Sequence, residues 1–309
     1  MALTGVVRVD RREIEISRPE KVLFPDDGIT KGDLIEYYAR IAPRMVPHLQ
    51  DRPLTLERYP NGIQTKRFFQ KEVSSYFPKW IRRVTVEKVG GTVTHVVCND
   101  TATLVYLANQ ACITPHIFLS RTDKLETPDQ LVFDLDPQGD DFDLVKATAL
   151  DFKRLLDELQ LPAFLKTTGS RGLHVVVPLR RRENYEAVRT FARDLAEIIV
   201  RKAPQSRTME QLKANRGNRV FIDTNRNGYA QLVAPGYAVR ARKGAPVSVP
   251  LNWDELKKKD LRSNSFTIRN VFQRLERMGD PWAQFWQSGV LLTRARQSLG
   301  SMRAPGPRG

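Results

Sequence analysis

Leu131-Val132-Phe133-Asp134-Leu135-Asp136-Pro137 decides the reading of this 309-residue chain. Side chains alternate across a strand, so Leu131, Phe133 and Leu135 face a core while Val132, Asp134 and Asp136 share the other face. Two carboxylates side by side repel unless a cation lies between them, and such hard oxygen donors suit Mg²⁺ or Mn²⁺. Pro137 stops the strand and leaves Asp136 at its C-terminal lip. Further on, Arg219-Val220-Phe221-Ile222-Asp223 reads as a second strand that also ends on an aspartate. If the two strands are neighbours, Asp223 is a third ligand. Three carboxylates bridging two ions about 3.5–4 Å apart drive in-line phosphoryl or nucleotidyl transfer. An isolated Asp-x-Asp also occurs in phosphatases and glycosyltransferases, and Asp136 before Pro137 could instead cap a turn. The phosphatase pattern continues with a small residue and Thr or Val, whereas Pro137 and Gln138 stand here.

Outward from this strand the pattern is strand, helix, strand, helix, strand. Helices are expected over 145–159 and 185–203, and strands over 163–167, 173–179, 219–223 and 231–234. Upstream, strands are expected around Asp10-Arg11-Arg12 and over 54–58 and 84–89, with a buried helix over 104–111. Thr30 with Asp33 three residues on forms a near capping box, so a helix should begin there, with Leu34, Ile35, Tyr38, Ile41, Ala42 and Met45 on its apolar face. A last helix is expected over 266–278. With no internal repeat and no Pro/Gly-rich break, residues 1–299 read as one α/β (α+β) domain, and 300–309 as a disordered tail or linker remnant.

Thr168-Gly169-Ser170-Arg171-Gly172-Leu173-His174 joins two of the strands. Its two glycines would let the backbone turn N–H groups outward as an anion nest, with Ser170, Arg171 and His174 adding donors suited to a triphosphate; an ordinary hairpin is the alternative. Arg216, Arg219, Arg240, Arg242 and Lys243 follow, and beside three carboxylates they make sense as triphosphate clamps. Lys31 lies in the first turn of a helix, where free N–H groups already favour a phosphate, and Lys21 precedes it. Arg67-Phe68-Phe69-Gln70-Lys71 interleaves rings and cations as a base-stacking platform does, although paired Phe residues are also common in cores.

The composition agrees. Fifty Lys and Arg stand against 35 Asp and Glu, a net charge of +15, which points to a polyanionic partner, most simply nucleic acid. No run is long enough to span a bilayer, and the N-terminus lacks the apolar stretch of a signal peptide, so a cytoplasmic location is expected. Cys98 and Cys112 are too few for a disulfide framework or a four-thiolate zinc site.

Taken together in order and spacing, Lys21-Val22-Leu23-Phe24-Pro25, Thr30-Lys31, Phe68-Phe69-Gln70-Lys71, Asn99-Asp100, the Asp134/Asp136 strand, Gly169-Ser170-Arg171-Gly172-Leu173-His174, and Asp223 with Ala234-Pro235 resemble the polymerase domain of bacterial DNA ligase D. That family belongs to the archaeo-eukaryotic primase superfamily and serves non-homologous end joining. The resemblance covers roughly residues 13–255. It implies a mixed β-sheet core flanked by helices, with Asp134, Asp136 and Asp223 as catalytic ligands of two Mn²⁺ or Mg²⁺ ions. Ser170, Arg171, His174, Arg216 and Arg240 would hold the incoming NTP or dNTP, and His116 would contact the ribose 2′-hydroxyl. Lys21 and Lys31 would grip the 5′-phosphate of a gapped or broken DNA end, and Phe68 or Phe69 would stack on the template.

Many family members place Lys where Arg171 stands, which changes donor geometry. The family is commonly fused to ligase and phosphoesterase domains, so the chain is either an excised domain or a free-standing relative; a DNA ligase and a Ku-type end-binding protein are the implied partners, and the bacterial nucleoid the implied location. The expected activity is template-directed extension of 3′ ends. A primase-polymerase that starts chains unaided, a non-catalytic DNA-end bridging module and a basic metallophosphatase are the rivals.

Overall fold

The computed structural model describes residues 5–303. Its centre is a six-stranded sheet in the order Arg207–Thr208, Val220–Asp223, Gln130–Asp136, Leu173–Pro178, Phe164–Thr167, Pro250–Leu251. Neighbours are antiparallel except Arg207–Thr208, which runs parallel to Val220–Asp223, so the sheet is mixed. A second sheet places Leu54–Arg58 between Phe68–Gln70 and the hairpin of Arg83–Lys88 with Gly91–Val96; Cys112–Ile117 also pairs with Leu54–Arg58. Gly91–Val96 and Cys112–Ile117 were not expected from the sequence.

The alternation of the 130–136 strand divides two cores. Leu131, Phe133 and Leu135 are fully buried with Val175, Val177 and Ile222 beneath the helices Phe142–Glu158 and Tyr185–Lys202. Phe133 meets Phe152 at 4.2 Å between ring centroids. Each such buried side chain contributes about 1.5–3 kcal/mol. Val132 and Val176 point the other way, into a core shared with the second sheet and the helices Lys31–Leu49 and Thr101–Asn109.

The helix starts follow from local chemistry. Thr30 Oγ1 accepts from Asp33 N at 3.2 Å and Asp33 Oδ2 accepts from Thr30 N at 2.7 Å, completing the capping box. Asp141 accepts from the N–H groups of Asp143 and Leu144, so the helix expected from 145 begins at Phe142. The helix expected from 266 begins only at Val271, because Asn270 Oδ1 turns back to Thr267 N. Residues 231–234 are not a strand; one bridge, Val233 to Ile117, is all that the segment makes with the second sheet. The last helix, Thr293–Arg303, runs past the boundary expected at Gly300, and 304–309 lie outside the described residues.

A buried ion pair ties the start of the central strand to the second sheet. Arg52 is wholly inaccessible; its Nη2 donates to Asp129 Oδ2 at 2.6 Å and its Nη1 to Phe118 O at 3.1 Å. Arg121 Nε reaches the same Asp129 oxygen at 2.8 Å. Trp286 lies under both guanidinium groups, at 5.2 and 4.8 Å.

Candidate active site

Strand register assembles the site. Asp134 is paired with Asp223 on one side and His174 on the other, and His174 is paired in turn with Lys166. Four ionisable side chains therefore stand in one row across four strands, on the face turned toward the second sheet. His174 Nε2 lies 3.3 Å from Asp134 Oδ1. Burial, reinforced by Lys166, brings the His174 pKa down to about 4. Burial and the Arg240 charge bring Lys166 down to about 7; its Nζ donates to Ser248 Oγ at 2.7 Å. Burial alone would raise the Asp134 pKa, but the donors His174 and Arg226 hold it well below the usual carboxylate range.

Arg226 joins the acids. Its Nε is 3.2 Å from Asp134 Oδ2 and 3.7 Å from Asp223 Oδ2, so one guanidinium spans two of the three carboxylates. Sequence reasoning missed it, although its place three residues past Asp223, on the 3₁₀ turn Asn225–Asn227, was a usable cue. Burial, with the charge of Asp134 adding to it, raises the pKa of both Asp136 and Asp223. The donor set is thus three oxygen-bearing acids, two of them with pKa values raised by burial and by the third, which fits a hard divalent cation. Among the described residues no three acidic, imidazole or thiol groups already close around one point as a metal cage. Arg226 is the group that spans the acids instead.

The turn between the strands works differently from an anion nest. Ser170 N and Gly172 N both point inward, each 3.2 Å from Thr168 Oγ1, because the threonine hydroxyl outcompetes solvent for them. Gly169 does have positive φ, 65°, and a Cβ there would meet Arg240 Cγ at 2.8 Å. Gly172 is required for another reason: its Cβ would lie 1.9 Å from Leu135 O, so only a bare backbone fits beside the Gln130–Asp136 strand.

His116, Asp134, Asp136, Ser170, His174, Arg216, Asp223 and Arg240 all line one cleft of about 430 Å³ between the two sheets. Arg240 Nη1 donates to Thr168 O at 3.1 Å; Arg216 lies over Phe221 at 3.6 Å and donates to Glu210 O and Gln211 O. Arg171 stands at the rim, 3.5 Å from Asp136 Oδ2. Arg219, Arg242 and Lys243 do not line the cleft; Arg219 is turned back onto Arg216 O and Asn215 O. Lys213 and Arg226 add to the basic lining.

Lys21 and Lys31 form a second basic spot, outside that cleft. The small hairpin Val22–Phe24 with Ile29–Thr30 brings them together, Lys31 N donating to Lys21 O at 2.8 Å. Lys31 is 4% exposed, with Nζ on Ser17 Oγ and Asn109 O and, among the described residues, no carboxylate in ion-pair contact. Burial, then Arg18 and Lys21, lower its pKa to about 8. Lys21 Nζ donates to Asn61 Oδ1. Phe68 and Phe69 are 42% and 46% exposed, each with an arginine, Arg58 and Arg67, 5.2 Å from its ring. The Phe69 ring is 5.8 Å from His116, so this aromatic pair adjoins the cleft.

A mixed sheet that gathers acids on one face and arginines around them defines a nucleotidyltransferase-like class. The chain belongs to the family described as "LigD, primase-polymerase domain", which matches residues 30–282. That span begins after Lys21 and runs beyond the expected limit near residue 255. The chain is 33% identical over 282 residues to the multifunctional non-homologous end joining protein LigD of Mycolicibacterium smegmatis, covering 89% of this chain and 36% of that protein. To the LigD of Pseudomonas aeruginosa it is also 33% identical, over 92% of this chain and 34% of that protein. It therefore spans about a third of the length of these relatives. The polymerase domain of Mycobacterium tuberculosis ligase D, solved in complex with DNA, superposes with a TM-score of 0.84 at 29% identity, covering 89% of this chain and 99% of that one. No helix among the described residues is long and apolar enough to cross a membrane.

Proposed function

We propose that this chain is a divalent-metal-dependent, template-directed nucleotidyltransferase that extends DNA 3′ ends with rNTPs or dNTPs, filling gaps and overhangs during non-homologous end joining. The observation that carries the reading is the register pairing of Asp134 with Asp223, with Asp136 two residues along the same face. Similarity to non-homologous end joining LigD proteins supports it, as does the DNA bound by the Mycobacterium tuberculosis domain. A DNA ligase to seal the filled gap and a Ku-type end-binding protein are the partners this reading implies.

Asp134, Asp136 and Asp223 would hold Mg²⁺ or Mn²⁺, which when bound supplies Lewis acidity for in-line displacement at the α-phosphorus. Arg216, Arg240, Arg171 and Ser170 would orient the triphosphate, and charge-assisted bonds to its oxygens offset its repulsion from the acids. His174 keeps Asp134 oriented and ionised. Phe69 and Phe68 offer a face on which a template base can stack. Arg226 must yield Asp134 and Asp223 as the cation arrives. Arg226→Met should therefore bind Mn²⁺ at least about fivefold more tightly, since one competing charge within 4 Å is gone; titration calorimetry without nucleotide checks this.

Lys31 carries a pH dependence. A 5′-phosphate beside it favours the ammonium, so the complex keeps a proton that free protein loses above about 8. Affinity for a 5′-phosphorylated gap should be level below about pH 8 and fall above it, by up to about tenfold per unit for one proton. Fluorescence anisotropy should show this fall, and a gap lacking the phosphate should show little of it. The test of the function itself is primer extension on that gap with rNTPs and dNTPs separately, with and without Mn²⁺. Metal-dependent, template-matched incorporation is expected; DNA binding without incorporation would favour a bridging module. Synthesis on unprimed single strands would favour a primase.

A further inference from the structure

We propose that Glu57 is a positioning residue that sets sugar selectivity, by locking His116 into the tautomer that accepts a hydrogen bond from a ribose 2′-hydroxyl. This rests on the polymerase reading above and deepens it.

Glu57 is 4% exposed, in the strand Leu54–Arg58, which is paired with Cys112–Ile117 so that Thr55 opposes His116 and Glu57 opposes Thr114. Glu57 and His116 are thus diagonal neighbours, and Glu57 Oε2 lies 2.9 Å from His116 Nε2. The other oxygen, Oε1, accepts from Tyr59 OH at 3.0 Å and from Arg67 Nη1 at 2.9 Å. With both oxygens engaged by donors, the carboxylate is ionised and can only accept, so His116 Nε2 must carry hydrogen. Burial outweighs the pull of Glu57 and keeps the imidazole neutral. Its Nδ1 is then a bare acceptor, and it is buried with no partner among the described residues, on a residue that lines the nucleotide cleft. A ribose 2′-hydroxyl supplies the missing donor; a 2′-deoxyribose leaves the lone pair unsatisfied, a loss worth about tenfold or more in selection. Arg67 also stacks on Phe69, whose ring abuts His116, so the carboxylate joins the sugar-reading imidazole to the aromatic platform.

The experiment measures kcat/KM for rNTP and dNTP incorporation by wild type, Glu57→Gln, His116→Ala and the double variant, with the ¹⁵N shifts of His116 in folded wild type and folded Glu57→Gln. Glutamine can offer its amide to Nε2 and reverse the tautomer. Wild type should show protonated Nε2 and bare Nδ1. Glu57→Gln should lower the rNTP:dNTP ratio about tenfold with dNTP incorporation little changed, and adding it to His116→Ala should lower the ratio no further. Protonated Nδ1 in wild type overturns the proposal, whether or not the variant folds. So does equal loss for both sugars in Glu57→Gln, or an unaltered ratio. Wild type that incorporates neither nucleotide refutes the polymerase reading instead and takes this inference with it.

Discussion

Asp134→Ala should lower nucleotide incorporation by about a thousandfold or more while leaving DNA affinity within a few-fold of wild type. Asp134 is the one acid in direct register with both Asp223 and His174, and it also receives Arg226. Removing it leaves Asp136 and Asp223 with no carboxylate between them, and forfeits several kcal/mol of transition-state stabilisation from charge at the reacting phosphate. The basic spot at Lys21 and Lys31 and the exposed Phe68 and Phe69 lie outside the substituted position. Single-turnover extension under saturating Mn²⁺, run beside anisotropy on the same gapped DNA, separates the two effects. Parallel loss of binding and turnover would mean that the variant had lost its fold, and retained turnover would remove Asp134 from the chemistry.

The largest stability effect is expected away from the chemistry. Asp129→Ala strands Arg52, which is fully buried, and takes the shared carboxylate from Arg121. Breaking a buried ion pair by removing one partner costs about 3–5 kcal/mol, because the remaining charge is left without compensation. Urea unfolding should show a loss of that size. Replacing both partners, as in Arg52→Met with Asp129→Leu, should recover much of it, since the fully buried charge is gone and only the partly exposed Arg121 is left without its carboxylate. Asp129 immediately precedes the Gln130–Asp136 strand, so the single variant should also loosen the footing of Asp134 and Asp136 and reduce activity in the folded fraction.

How much of this could be read from residues alone depended on range. The alternation at Leu131–Asp136, the Thr30–Asp33 cap and the strand ending at Asp223 are local, and the structure carries each of them. That Asp223 would stand opposite Asp134 was only conditional, because strand order is set by pairings some ninety residues apart that leave no local trace. Arg226 and Lys166 escaped notice for the same reason, though a lysine inside Phe164-Leu165-Lys166-Thr167 breaks an apolar run and was a fair cue. The glycine turn was misread since Thr168, not solvent or a ligand, takes the inward N–H groups. His116 entered through family resemblance alone; Glu57, which holds it, was hidden in a short strand, Leu54–Arg58, that carries no local sign of a partner some sixty residues on.

The row Asp223, Asp134, His174, Lys166 exists because four segments meet in one alignment. Sliding the 130–136 segment by a single position would send both aspartates into the oily layer around Phe152 and bring Phe133 and Leu135 up in their place. Deleting one codon there would therefore be far more harmful than deleting one in an outer loop. A library that samples lengths in this protein should leave these four segments untouched and vary their connections.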